Sequence, residues 1–204
     1  MMENDQLSTS EESLAIIQSM INKAKNQFGD NGHIYLLWGW VVLLCSLAEF
    51  IMLYYFRYEH HYMVWFLTWV TGIYHGVYAY RTKRKRLVKT YTDDILSYVW
   101  MVFLVLMLLF GLVSGIILGK DYYRVINPGF LALYGMPTFL SGIILKFRPL
   151  IAGAICCWLL SIIAALSSPL FHLLFLAAGV ISAWIIPGYI MRARFMKEQS
   201  LLVK

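Results

Sequence analysis

Three ionisable side chains, Glu49, His75 and His172, fall inside long apolar runs of this sequence. Holding charge in hydrocarbon is costly, so an acid or imidazole kept there marks a pocket, a proton path or a buried hydrogen bond. At about 1.5 Å per residue of helix, counted from the outer ends of the runs, Glu49 lies roughly 10 Å deep, His172 roughly 5 Å and His75 roughly 20 Å. Glu49 and His172 can then meet, whereas His75 stands apart. The same count brings Ser114, Tyr134, Thr138 and Ser161 into the outer third. The expectation is a small outward-facing polar pocket built from Glu49, Ser114, Tyr134, Thr138, Ser161 and His172, with Glu49 at its centre. The plainer alternative is that Glu49 is neutral, or reaches a tyrosine or Arg124 near the interface. His75, beside Gly76, reads as a hydrogen-bonded core histidine.

Signatures of catalysis are mostly absent. Intramembrane serine proteases carry a Gly-x-Ser-Gly nucleophile motif, and the nearest approach here is Phe139-Leu140-Ser141-Gly142. No phosphate-cradling glycine loop, metalloprotease motif or paired helical carboxylates occur. His60 and His61 are adjacent in a short polar turn, and neighbours in sequence rarely chelate one ion together. Cys45, Cys156 and Cys157 lie in apolar runs without metal or redox spacing and read as buried thiols. Neither a metal nor a cofactor is expected, and a non-enzymatic role is favoured over an enzymatic one.

The elements that must position these residues are set by composition. Of 204 residues 60% are hydrophobic and 14% charged, against about 25% charged in a soluble domain. The chain is therefore expected to be an all-α integral membrane protein. Spans are expected at about 34–56, 62–80, 95–119, 129–147, 150–167 and 170–191, each long enough for a hydrocarbon core of roughly 30 Å. Trp38, Trp40, Tyr54 and Tyr55 lie towards the ends of the first as interfacial anchors. Lys120 to Pro128 reads as a loop, and Pro137 as a bend in the fourth span.

Orientation follows from charge. Arg81, Lys83, Arg84, Lys85, Arg86 and Lys89 form the one dense basic block, which belongs on the cytoplasmic side. Lys23, Lys25, Lys146, Arg148, Arg192, Arg194, Lys197 and Lys204 then lie on that side too, leaving only Arg57, Lys120 and Arg124 outside. The expected topology is six helices with both termini cytoplasmic and a tail over about 192–204. The net charge of +6 sits between apolar spans, so it reads as orientation and contact with anionic lipid headgroups, not as a nucleic-acid surface.

Two helix-packing patterns stand out: Gly72 and Gly76 in the second span, and Gly111, Gly115 and Gly119 in the third. Small residues four apart let another backbone approach, inside the bundle or, as the alternative, in a homodimer seam. Ahead of the first span, within about 1–33, Thr9 and Glu12 fit a capping box. Leu14, Ile17, Ile21, Ala24 and Phe28 then share one face, which predicts an amphipathic helix over about 9–28. Its apolar face suits either the lipid interface or a partner protein.

Glu12-Ser13-Leu14, Ile17, Met20-Ile21 and Lys25, followed by Leu36-Leu37-Trp38-Gly39, resemble the opening of a group of small, uncharacterised multi-pass proteins of Bacteroidota-type bacteria. The likeness covers about the first forty residues and implies a bacterial inner membrane and a retained N-terminal helix. It brings no activity and no functional residue. The role expected is that of an interaction, regulatory or sensor subunit, with a small transporter or channel-like protein using the Glu49 pocket as the alternative.

Overall fold

The computed structural model describes residues 32–85 and 91–202, and every regular element among them is helical. α1 (His33–Ile51) ends in a π-helical turn, Met52–Phe56, and a 3-10 segment, His61–Trp65, leads into α2 (Phe66–Lys85). α3 (Tyr91–Leu118), a 3-10 turn at Gly119–Asp121 and α4 (Tyr122–Ile144) follow. Then come α5 (Arg148–Ala165), α6 (Pro169–Val180), a π-helical turn at Ile181–Ile185, and α7 (Ile186–Leu202), which continues α6. The helix expected over 9–28 lies outside the described residues, as do Arg86 and Lys89.

Four helical stretches among the described residues are long and apolar enough to cross a membrane: His33–Phe56, Thr92–Ile144, Arg148–Ala165 and Pro169–Lys197. The second of these is a hairpin of α3 and α4. Phe103 packs on Tyr134 at 5.9 Å and Phe110 on Phe130 at 6.0 Å between ring centroids, so the two helices run antiparallel. α2 is not among the four, because Thr, Gly, Tyr, His and its basic C-terminal end dilute its apolar residues.

The breaks have identifiable causes. Gly119 takes φ +50°, a left-handed conformation that glycine adopts without a Cβ clash, and the chain reverses there. After α4 the N–H of Phe147 bonds Gly142 O at 2.8 Å and that of Lys146 bonds Ile143 O at 3.1 Å, with Lys146 left-handed at φ 50°. This is a Schellman closure with lysine in the place usually held by glycine. Pro149 and Pro169 sit in the first turns of α5 and α6, where their missing N–H is harmless. Pro187 follows the second π turn. Its ring crowds the carbonyl of Ala183, and a widened turn accommodates it while directing Trp184 inward, 3% exposed.

The segment Lys120–Pro128, expected as a loop, is largely helical. α4 begins at Tyr122 and carries both Pro128 and Pro137. Pro128 lies early enough in the helix that the carbonyl it leaves unbonded, on Arg124, belongs to the exposed end of the hairpin.

Neighbouring helices run antiparallel around the bundle. Trp158 of α5 donates to Ala132 O of α4 at 3.1 Å, and Ser161 donates to Pro128 O at 2.8 Å. Cys157 of α5 donates to Gly179 O of α6, while Gly153 abuts Ser182 and Ala183. α1 returns along α6 and α7, with Gly39 against Ile185 and Gly32 against Gly188. The core lies between α1, α4, α5 and α6, where Leu131, Leu150, Cys157, Leu176 and Val180 are fully buried. α2 packs chiefly on α1.

Candidate functional site

Glu49 is 6% exposed, near the end of α1, and its carboxylate is taken up by two groups from the segment just beyond the 57–60 turn. Oε1 lies 2.6 Å from His61 Nδ1, and Oε2 accepts from Trp65 Nε1 at 2.7 Å. His61 and Trp65 open and close the short 3-10 segment that leads into α2, and both side chains reach Glu49 on α1. The rings of His61 and Tyr123 are 6.1 Å apart, and Tyr122 lies within electrostatic reach of Glu49. The end of α1, the start of α2 and the α3–α4 turn thus meet around one carboxylate.

The donors constrain the chemistry. An indole N–H can only donate, so Oε2 must be an acceptor and a proton on the carboxyl can sit only on Oε1, facing His61. Oε1 is the oxygen that faces His61 Nδ1, and which of the two carries the hydrogen between them depends on the imidazole tautomer. Trp65 fixes the carboxylate plane, and the side chains of His61 and Glu49 are 13% and 8% exposed.

This is not the pocket expected from sequence. Of its six candidate members, Glu49 bonds to His61 and Trp65. Thr138 accepts from Trp184 Nε1 at 3.0 Å and donates to Tyr134 O at 2.7 Å, inside an aromatic core where the Tyr134 and Trp184 rings are 4.7 Å apart. Ser161 bonds Pro128 O, and Ser114 is buried on α3. His172, 1% exposed, places Nε2 3.2 Å from Ser167 O in the turn before its own helix, and its Nδ1 has no partner among the described residues. Of the six, Thr138 and Tyr134 are joined by a hydrogen bond, whereas Glu49, Ser161 and His172 each bond residues outside the set, because the way each side chain faces is set by the packing of its helix. His61, expected to be exposed, is partly buried because the 3-10 segment folds it under α1. The spacing that could have revealed it is His61 and Trp65 at i and i+4, just across a tight turn from an intramembrane acid.

His75 also has a partner. Its Nδ1 accepts from Trp38 Nε1 at 3.1 Å, with the rings edge to face at 6.2 Å between centroids.

The glycine patterns divide. A Cβ at Gly72 or Gly76 would meet nothing within 4 Å, so that pair does not seat another helix of the bundle. Gly111 and Gly115 touch only Phe130 and Tyr122 at ordinary contact distance and, with Gly119, Tyr122 and Tyr123, line an open groove of about 440 Å³. The close approaches occur at Gly39, Gly129, Gly135, Gly142, Gly153, Gly179 and Gly188. None of these was singled out by the four-residue spacing, because their partners lie on other helices.

Of the basic block, Arg81 is exposed near the end of α2, and Lys83, Arg84 and Lys85 occupy its last turn. Lys146, Arg148, Arg192, Arg194 and Lys197 are exposed at the same end of the bundle, with the Arg194 guanidinium 4.9 Å from the Phe147 ring centroid. Arg57, Lys120 and Arg124 are exposed at the other end.

These features define a class: an all-helical protein with apolar helices of membrane-spanning length and a buried Glu–His–Trp cluster at one end of its bundle. No protein-family model, curated protein or solved structure matches the chain.

Proposed function

We infer that this chain is a multi-pass protein of a bacterial inner membrane that works by association, as an interaction, regulatory or sensor subunit. It crosses the bilayer six times with both termini on the cytoplasmic side. Support for six crossings comes from the alternating helix directions, which pair α2 antiparallel with α1 although α2 is the least apolar helix. Support for the orientation comes from the crowding of basic residues at the end where α2 stops and α7 runs out, a surface suited to anionic lipid headgroups.

The observation that carries the reading is the closed interior. Between α1, α4, α5 and α6 the described part of the bundle is filled by fully buried aliphatic side chains and by Trp184 hydrogen-bonded to Thr138. Gentle detergent extraction of the tagged full-length chain from its native membrane is the test. A stoichiometric protein partner, or a second copy, is the expected result. A chain that purifies alone and conducts or transports when reconstituted in vesicles overturns it in favour of a small transporter or channel, a second reading favoured by the buried Glu49 carboxyl 2.6 Å from His61 Nδ1.

A further inference from the structure

The polar contacts that hold α2 to α1 differ in whether an imidazole must accept. At the basic end, Trp38 Nε1 lies 3.1 Å from His75 Nδ1. The indole can only donate, so His75 Nδ1 must accept, and the imidazole is the neutral tautomer with its hydrogen on Nε2. Protonation places a hydrogen on Nδ1 as well, and a donor then faces a donor. At the other end, Glu49 Oε2 accepts from Trp65 Nε1 at 2.7 Å, and Oε1 lies 2.6 Å from His61 Nδ1. Cys45 Sγ donates to Val64 O at 3.3 Å near the same end. A proton on His75 therefore breaks the Trp38 contact, whereas the Trp65 and Cys45 contacts contain no imidazole.

We propose that α2 is a proton-operated lever: protonation of His75 opens the Trp38 latch and frees the C-terminal part of α2, while the Glu49–His61–Trp65 cluster holds its other end as the pivot. The packing leaves room for the motion. A Cβ added at Gly72 or Gly76 would meet nothing within 4 Å among the described residues, and Trp69, Val70, Ile73 and Val77 are exposed, so a swing of α2 towards that face displaces lipid instead of core side chains. Against His75, α1 presents Trp38 and the titratable His33, and α2 itself carries Tyr74 and Tyr78 within one turn, the Tyr78 ring 5.3 Å from that of His33. Arg81, further along α2, is exposed. Because Arg81 lies further along α2, opening the latch shifts its exposed side chain relative to the bundle and converts a proton into a change at the surface.

The test uses the full chain in liposomes, labelled with 5-fluorotryptophan and followed by ¹⁹F NMR, with Trp38 and Trp65 assigned by the W38F and W65F variants. The Trp38 signal is expected to move in a single step as the pH is lowered, without a matching step at Trp65. In His75→Gln the amide oxygen still accepts the indole hydrogen but does not titrate, so the variant folds and the Trp38 step disappears. Backbone hydrogen exchange over residues 72–81, corrected for intrinsic rate, should rise about tenfold across the step in the wild type and stay flat in H75Q. A Trp38 step that survives in H75Q, no step in the wild type, or exchange that rises equally over residues 61–66 overturns the lever.

Discussion

The bundle is held together in two different ways. Around α4, α5 and α6, helices approach until backbones nearly touch: a Cβ at Gly153 would lie 2.5 Å from Ser182 O, and one at Gly142 would lie 2.9 Å from Ile151 N. Around α2 there is no such approach. The helix hangs on α1 by Trp38 to His75, Glu49 to His61 and Trp65, and Cys45 to Val64 O. In lipid, apolar side chains gain nothing by leaving solvent for one another, so helices cohere through close van der Waals packing or through hydrogen bonds. Around α4, α5 and α6 close packing adds to hydrogen bonds such as Trp158 to Ala132 O and Ser161 to Pro128 O, whereas neither glycine of α2 makes a close approach. The difference teaches where motion can occur, because dispersion packing has no switch, whereas a hydrogen bond to an imidazole has one.

The sharpest way to break the comparison is at Gly153. Leucine there must displace the backbone of Ala183, whose Cα would be 2.6 Å from the new Cβ, and no side chain can yield. Gly153→Leu should cost about 3 kcal/mol or prevent folding, read as loss of the thermal transition in detergent. If it melts like the wild type, the packed region is not packed as described.

Next in size is the polar region's own anchor. Glu49→Ala leaves the His61 and Trp65 donors without their acceptor in a mostly buried site and should destabilise the protein by about 2 kcal/mol. Glu49→Gln keeps one acceptor oxygen and should lose about half as much. The same melt measures both, and equal losses would mean that the charge matters more than the hydrogen bonds. Trp184→Phe tests a side-chain hydrogen bond inside the packed region. It removes the bond to Thr138 while keeping the ring against Tyr134, and should cost about 1 kcal/mol.

The helical class and its apolar helices of spanning length were legible from composition and from runs of hydrophobic residues, because both are properties of one segment at a time. The candidate site was legible only in part. Glu49 stood out as an acid in an apolar run, and the cost of its burial required a partner, but the partner depends on the azimuth of each helix and on a 3-10 segment too short to announce itself. Counting depth paired Glu49 with His172. The chain instead supplies His61 and Trp65 from twelve and sixteen residues away. Likewise, regular glycine spacing points to a groove without saying what fills it. Gly153 and Gly179 carry tight contacts with no repeat around them, because the contact is set by the neighbouring helix.

The smallest predicted effect is the one that most sharpens the contrast. Gly72 and Gly76 have the spacing of a packing motif, yet a Cβ added at either would meet nothing within 4 Å among the described residues. A leucine at either position adds apolar surface towards lipid and, in a helix interior, replaces the weaker helix former by a stronger one. Gly72→Leu and Gly76→Leu should therefore change stability by less than about 0.5 kcal/mol, or raise it slightly through helix propensity. If the chain purifies with a partner or a second copy, the same variants separate two origins for that contact. A complex that survives both substitutions sits elsewhere, and one that dissociates while the melt is unchanged is seated on the bare face of α2. A large loss of stability in the isolated chain would instead mean that α2 is packed as closely as α5, and the division between a dispersion-packed core and a hydrogen-bonded lever would fail.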